Sequence, residues 1–188
     1  ASAAAMQFHG DGFRTGDPRV RPADPTVTAR PAAMPDEVDV LIVGCGPAGL
    51  VLAAQLAEFP GIATRIVERK PGPLELGQAD GVACRTVEMF EAFGLSEELV
   101  AEAYWVNETV FWRPAADDRS RIVRTGRVQD VEDGLSEFPH VILNQARIHD
   151  FLLGSMRRSP SRLEPDYGLE VVELAVGQLQ GVAAADPT

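Results

Sequence analysis

The chain has 188 residues, of which 45% are apolar, and it carries a formal net charge of −11. This length suits one domain or part of a larger one, and the apolar fraction is sufficient for a buried core. The negative charge argues against nucleic-acid binding and against anionic membrane surfaces. No apolar run reaches membrane-spanning length and no signal peptide is visible, while two cysteines outside any CxxC motif suggest a reducing, cytoplasmic setting.

The start of the chain is predicted to be an irregular amino-terminal arm covering residues 1–36. Residues 6–36 are rich in Pro, Arg, Asp and Ala and lack sustained periodicity, so we expect this arm to lie over the surface. A globular α/β core is predicted to begin near Glu37. Residues 181–188 do not resemble a final packed element, and we therefore expect the chain to be the front part of a longer protein.

The most informative segment starts with an apolar run at 38–43, rich in β-branched residues and typical of a strand buried on both faces. Gly44, Gly46 and Gly49 follow in the spacing GxGxxG and open a predicted helix over 47–58. The first glycine permits a tight turn, the second lets the backbone approach a pyrophosphate, and the third lets the helix pack closely on the strand. The amino end of this helix offers N–H groups and a partial positive charge to an anion.

A second strand is predicted over 63–67, after the helix stops at the Phe-Pro-Gly of 59–61. Glu68 stands at the end of this strand, where a carboxylate can accept hydrogen bonds from a ribose diol. Strand, glycine turn, helix, strand and acid together predict a socket for the ADP half of a dinucleotide in a partial Rossmann-like α/β fold. The alternative is a chance glycine turn in another kind of α/β protein.

The rest of the chain shows both helical and alternating patterns. Helices are predicted over 80–93, 96–103 and 145–158, with Ser96 as N-cap of the second, and short strands over 141–144 and 169–176. An additional antiparallel β segment is predicted from 103–112 and 119–129, which alternate apolar and polar residues around a loop. Cys45 and Cys84 are predicted to be packed residues and not reactive thiols.

Three segments resemble the FAD-dependent aromatic hydroxylases, single-component flavoprotein monooxygenases of the phenol hydroxylase branch. They are MQFHGDGFRTG at 6–16, ERKPGPLELGQADGVACRTVEMFEAFGL at 68–95 and GRVQDVEDGLSEFPHVILNQARIHD at 126–150. The resemblance covers residues 6–167, and its GQADG and FPHVILNQARIHD parts are more specific than the glycine turn. It implies that residues 37–188 are the amino-terminal part of an FAD-binding domain, without the family's substrate domain and thioredoxin-like carboxy-terminal domain.

The resemblance also implies cofactors, partners and a reaction. NADPH reduces the FAD, oxygen then forms a flavin hydroperoxide, and this species transfers an OH group to a phenolic acid activated by deprotonation. The implied partners are a small aromatic substrate, molecular oxygen and, at full length, a second subunit in a homodimer. Two alternatives stay open: a nicotinamide-dependent dehydrogenase, against which the GQADG loop argues, and a non-catalytic FAD-fold module, against which the intact glycines, Glu68 and Asp80 argue.

Two residues are implied to act on the substrate. An acid at Asp80 lies beside the flavin and the substrate hydroxyl in the family, where a carboxylate can accept or relay the phenol proton. The alternative, compatible with this role, is that Asp80 caps the following helix. His140 is implied to lie in the substrate pocket and to hydrogen-bond the carboxylate of the substrate, although a lone histidine is often structural.

The implied cofactor contacts centre on the glycine turn, the GQADG loop and Gln145, which the family holds against the flavin. A surface position at a helix start is the alternative for Gln145, and a solvated charge pair is the alternative for Arg69 and Lys70. The full set is Gly44, Gly46, Pro47, Ala48, Gly49, Glu68, Arg69, Lys70, Gly77, Gln78, Ala79, Asp80 and Gln145. No metal site is predicted, because His9 lies in the arm and His149 on a polar helix face, and neither pairs with carboxylates at ligand spacing.

Overall fold

The computed structural model describes residues 6–9, 12–17, 19–27 and 35–177. In chain order its elements are β1 (Met6–His9), β2 (Gly12–Thr15), β3 (Val40–Val43), α1 (Pro47–Leu56), β4 (Thr64–Glu68), β5 (Gly81–Val82), α2 (Cys84–Ala92), α3 (Ser96–Glu102), β6 (Tyr104–Val106), β7 (Glu108–Pro114), β8 (Ile122–Gln129), β9 (His140–Ile142), α4 (Gln145–Arg158) and β10 (Asp166–Tyr167). The core mixes strands and helices and begins with the strand–helix–strand order of β3, α1 and β4, in agreement with the prediction of an α/β chain.

The centre of the fold is a β–α–β unit formed by β3, α1 and β4. The two strands pair in parallel, from Val40 opposite Thr64 to Val43 opposite Val67. β10 adds a third parallel strand on the other side of β4. The predicted strand, helix and strand agree with these elements to within two residues at each end. In the described residues this parallel sheet has only three strands. The Rossmann-like character of the domain therefore stays a prediction.

The additional antiparallel β segment is present, but its pairing differs from the prediction. β7 and β8 form an antiparallel hairpin, with a bulge between Phe111 and Trp112. β6, which was predicted to continue into β7, instead pairs with β9, and β9 pairs on its other side with β5. The predicted strand over 103–112 is therefore divided between two sheets, because its two ends find different partners.

Three predicted elements need correction. The helix expected over 80–93 begins only at Cys84, because Gly81–Val82 is extended and pairs with β9. Leu95, not Ser96, is the N-cap of α3, and the Ser96 hydroxyl instead donates to the Glu91 carboxylate. Residues 169–176 form no strand, and alternate side chains such as Val172 and Val176 are exposed. The place beside β4 is taken by β10, which precedes this segment.

The amino-terminal arm was predicted to be irregular, but part of it forms regular structure. Met6–His9 and Gly12–Thr15 pair as an antiparallel hairpin, and the Gly-Asp between them in sequence is a common two-residue hairpin connection. Residues 19–27 lie on the core, since the Arg21 N–H donates to the Arg158 carbonyl (3.0 Å) and the Asp24 N–H to the Pro160 carbonyl (3.1 Å). The division into an arm and a core at residue 36 stays a prediction.

The buried core joins α1 to α4 and to the strands beneath them. Leu50 and Ala53 of α1, Leu152 and Met156 of α4, and Val141 of β9 are almost wholly inaccessible to solvent. Burial of a leucine or methionine side chain stabilises a fold by about 1.5–3 kcal/mol. This packing holds the start of α4 beside the start of α1. In the part of the chain that the structure describes, no helix is both long and apolar enough to cross a membrane.

Candidate functional site

The three glycines of the turn meet three different steric demands. Gly44 has a φ of +98°, a left-handed conformation that favours glycine. A Cβ on Gly49 would lie 2.1 Å from the Gly44 carbonyl oxygen, so only glycine allows α1 to approach β3 this closely. A Cβ on Gly46 would meet no heavy atom within 4 Å. The middle glycine therefore faces open space, where a group outside the described residues can approach the backbone.

The amino end of α1 faces the same open space. Gly46 is its N-cap and Pro47 its first residue, and the first turn has neither a side-chain cap nor an acidic residue. Proline suits this position because it has no N–H to satisfy. The next backbone N–H groups and the positive end of the helix dipole favour an anion such as a diphosphate.

Glu68 is held beside the glycine turn by two backbone hydrogen bonds. Its Oε2 accepts from the Cys45 N–H (2.8 Å) and its Oε1 from the Lys70 N–H (2.9 Å). These bonds lower the pKa of the Glu68 carboxyl below its usual value, so it is ionised at neutral pH. Cys45 is buried as predicted, and burial together with the charges of Glu68 and Asp166 raises the pKa of its thiol to about 12. Cys84 is only half-buried.

A cavity of about 320 Å³, called here the cradle cavity, lies over the glycine turn. It brings together many of the predicted cofactor residues: its lining comprises Cys45, Gly46, Pro47, Glu68, Arg69, Lys70, Gly72, Leu74, Leu76, Gln78, Gln145 and His149. Arg69 and Lys70 are exposed at its edge, and the Arg69 guanidinium lies 4.0 Å from Glu170. Their contact with a cofactor stays a prediction.

The GQADG loop is fastened to the first residue of α4. The Gln78 N–H donates to Gln145 Oε1 (3.0 Å), and the Gln145 N–H donates to the Ala79 carbonyl (3.2 Å). A Cβ on Gly77 would lie 2.6 Å from the Cβ of Gln145, so the loop can approach this closely only with glycine there. Gln145 is half-buried at the start of α4 and makes both of these bonds to one loop, and its contact with the flavin stays a prediction.

Asp80 lies at the edge of a second cavity, which is mostly apolar and is called here the apolar cavity. This cavity has a volume of about 370 Å³ and is lined by Pro47, Ala48, Val51, Ala79, Asp80, Gly81, Val82, Thr86, Met89, Phe90, Gln145, Ile148 and Leu152. The Asp80 carbonyl accepts from the Leu143 N–H (2.7 Å), while its side chain is exposed. The capping role considered for Asp80 is wrong, because the N-cap of α2 is Ala83 and no side chain caps it.

His140 lies next to the Asp80 loop and has a carboxylate partner. Its Nδ1 is 2.6 Å from Asp130 Oδ2, and a Cβ on Gly81 would lie 3.3 Å from its Nε2. The pairing of β5 with β9 therefore brings His140 and the residue after Asp80 together. Asp130 was not predicted, since nothing in the spacing of ten residues marks it as a partner of His140.

The position of His149 differs from the prediction. It was expected on a polar helix face, but it is buried and lines the cradle cavity. The signal was its position four residues after Gln145, which puts both on one side of α4. Among the described residues, no group of three or more His, Cys, Asp or Glu side chains could hold a metal ion. A larger cavity, of about 730 Å³, lies beside β7 and β8 and shares no lining residue with the two described above.

The comparison with protein families identifies the family of the chain. A family model described as an FAD binding domain matches residues 37–175. The chain belongs to this FAD-binding family. The geometry fits the cofactor, since the open face of Gly46 suits its diphosphate and the fixed Glu68 carboxylate suits a ribose diol. The expected relation to the FAD-dependent aromatic hydroxylases is confirmed by the relatives below.

Two relatives and one solved structure illustrate this membership. The FAD-binding chain is 62% identical over 171 residues to 3-hydroxybenzoate 4-monooxygenase of Comamonas testosteroni, covering 91% of this chain and 27% of that protein. It is 43% identical over 156 residues to the FAD-dependent monooxygenase terD of Aspergillus terreus, covering 82% of this chain and 24% of that protein. Its fold is similar to the flavin-dependent monooxygenase PieE, solved with FAD and substrate, with a TM-score of 0.56, 25% identity, and coverage of 72% and 24% of the two chains. The chain thus spans about a quarter of the length of these proteins.

Proposed function

We propose that the whole protein is an FAD- and NADPH-dependent monooxygenase that hydroxylates a phenolic acid, converting 3-hydroxybenzoate to 3,4-dihydroxybenzoate. The observation that carries this proposal is the position of Gln145, which borders both cavities and fastens the loop carrying Asp80 between them. The identity of 62% to 3-hydroxybenzoate 4-monooxygenase supports the choice of substrate.

The cradle cavity would hold the ADP half of FAD. The backbone of Gly46 and the first turn of α1 would receive the diphosphate, and Glu68 would accept hydrogen bonds from the ribose hydroxyls. Gln145 and the loop at Gly77 and Gln78 would then border the path from this half to the flavin ring. FAD held there and reduced by NADPH would supply the activation of molecular oxygen, with one oxygen atom going to the aromatic ring and the other to water.

Asp80 and His140 would prepare the substrate for this transfer. The Asp80 carboxylate accepts or relays the proton of the phenol, which makes the ring richer in electrons toward an electrophilic oxygen. Nδ1 of His140 lies against Asp130, so Nε2 is the ring nitrogen left for the carboxylate of the substrate. Asp130 would thus keep the His140 ring in one orientation.

The test uses the whole protein purified without added cofactor. We expect a yellow protein that releases FAD on denaturation, and NADPH oxidation that increases on addition of 3-hydroxybenzoate. With ¹⁸O₂, one labelled atom should appear in 3,4-dihydroxybenzoate, as judged by mass spectrometry. A colourless protein that binds only a nicotinamide cofactor would support the dehydrogenase alternative. A yellow protein whose NADPH oxidation no hydroxybenzoate or phenol stimulates would support the non-catalytic module.

Two further properties are proposed for the whole protein. The free thiols of Cys45 and Cys84 suit a reducing compartment, which supports a cytoplasmic location. The resemblance supports a homodimer. Size-exclusion chromatography with light scattering on the whole protein would test the second property, and a monomeric mass would contradict it.

A further inference from the structure

His149 lines the cradle cavity but takes no part in the proposed contacts with cofactor or substrate. It follows Gln145 by one turn of α4 and lines the cavity together with Gly46 and Glu68. Its side chain belongs to the buried part of the fold, with a relative exposure of 4%. Within the described parts of the chain, its Nε2 has no hydrogen-bond partner.

An unpartnered ring nitrogen at this depth needs an explanation. Buried polar atoms in folded proteins nearly always have a partner, and one without a partner costs stability. Glu68 lines the same cavity, but its two oxygens accept from the backbone N–H groups of Cys45 and Lys70 instead. Because His149 itself lines the cradle cavity, a group bound there can approach this nitrogen.

The charges around His149 indicate which form of the ring faces the cavity. Burial is the main cause that lowers the pKa of His149, and the positive charge of Lys70 lowers it further. Asp150 and Glu68 act in the opposite direction without cancelling the effect of burial. The ring is therefore neutral at neutral pH, and a neutral imidazole forms directional hydrogen bonds with a hydroxyl or with an oxygen acceptor.

We propose that His149 is a further cofactor-binding residue, whose Nε2 hydrogen-bonds the adenosine diphosphate part of FAD. This inference rests on the proposed function in one respect, namely that FAD occupies the cradle cavity. It concerns the ADP part because His149 shares that cavity with Gly46 and Glu68, whereas it does not line the apolar cavity that holds Asp80.

The test compares His149→Phe with the whole wild-type protein after removal of FAD. Phenylalanine retains a planar ring of similar size but has no ring nitrogen. We expect the Kd for FAD, measured by flavin fluorescence, and the Kd for ADP, measured by calorimetry, each to rise by about 3- to 10-fold, as for loss of one neutral hydrogen bond. The melting temperature of the apoprotein should stay equal or rise, because the buried polar atom is gone. His149→Leu carries the same expectation if the phenyl ring disturbs folding.

A matched control lies next in the chain. Asp150 is exposed and pairs with Arg147 (2.7 Å), so Asp150→Asn should leave both dissociation constants unchanged. Unchanged constants in a folded His149→Phe or His149→Leu protein would overturn the assignment of His149 while leaving the proposed function intact. A wild-type protein that binds FAD but not ADP would also overturn it. A wild-type protein that binds neither would contradict the proposed function as well.

Discussion

The sharpest test of the cofactor site is Gly46→Val, because Gly46 is open on the side where a cofactor would lie. An added Cβ meets no heavy atom of the protein within 4 Å. The backbone of Gly46, with φ −68° and ψ 173°, is an extended conformation that valine adopts readily. Since valine is a poorer N-cap than glycine, we expect the free energy of unfolding of the apoprotein to fall by only about 0.5–1 kcal/mol.

Cofactor binding should respond very differently from stability. A valine side chain at this position would separate the diphosphate from the backbone N–H groups at the start of α1. Hydrogen bonds to charged groups contribute about 1.5–3 kcal/mol, which corresponds to roughly a 10- to 150-fold rise in the Kd for FAD. The assay is flavin fluorescence titration of the whole apoprotein, accompanied by thermal unfolding without cofactor.

Gly49→Ala is the contrasting control, since it adds a single methyl group to the crowded glycine of the motif. Its Cβ would lie 2.1 Å from the Gly44 carbonyl oxygen, so α1 must move away from β3. Such overpacking costs about 1–3 kcal/mol, and the apoprotein should melt several degrees lower. Full retention of FAD by Gly46→Val would refute the reasoning, because the diphosphate would then not lie at this turn.

Three further predictions concern the proton chemistry of the site. Asp80→Ala should slow hydroxylation more than flavin reduction in stopped-flow measurements, and equal losses in both half-reactions would indicate a structural role. Iodoacetamide at pH 8 should alkylate Cys84 far faster than Cys45, because a thiol of pKa about 12 is only about 10⁻⁴ thiolate at that pH; peptide mass spectrometry measures both. The pKa of Glu68 is lowered from 4.5, so its contribution to stability is present above that pH and is lost as the pH falls through the lowered value. Urea titrations of wild type and Glu68→Gln between pH 6 and 3 should therefore converge at the acid end, and a constant difference would contradict this.

The sequence predicts the β–α–β unit well because local and tertiary requirements agree there. The glycine spacing, the apolar strand and the helix all demand one arrangement, and the observed β3, α1 and β4 follow it. The prediction for α4 is also correct from Gln145 to Arg158. Its N-cap Asn144 accepts from the Ala146 N–H (2.8 Å), a local signal that the sequence carries by itself.

The errors arise where distant pairing overrides local pattern. Gly81–Val82 is extended instead of helical, because it pairs with β9, some sixty residues further along the chain. Residues 169–176 were predicted as a strand, but β4 already pairs with Asp166–Tyr167. There the Arg65 guanidinium lies 2.8 Å from the Asp166 carboxylate, an ion pair that fixes the register of β10. Neither choice can be made from a window of neighbouring residues.

The residues of the candidate site also differ in whether a local motif or distant packing positions them. Its glycines and Glu68 belong to one continuous motif, whereas the partners of the GQADG loop come from β9 and α4. Asp130 and His149 were not predicted because each becomes relevant only through packing. Asp130 lies beside His140, and His149 lines the cradle cavity. Resemblance to a family supplies Asp80 and Gln145 without supplying the contacts that hold them.

The Asp80 loop and the cradle cavity both depend on the position of α4. Gln145 holds the Asp80 loop and borders both cavities, and His149 lies one turn further along the same helix. α4 is itself held against α1 by buried side chains such as Leu152 and Met156. A displacement of α4 would therefore move the loop and the wall of the cradle cavity together. We infer that the cradle cavity and the loop carrying Asp80 are coupled through the packing of one helix, although they come from separate segments of the chain.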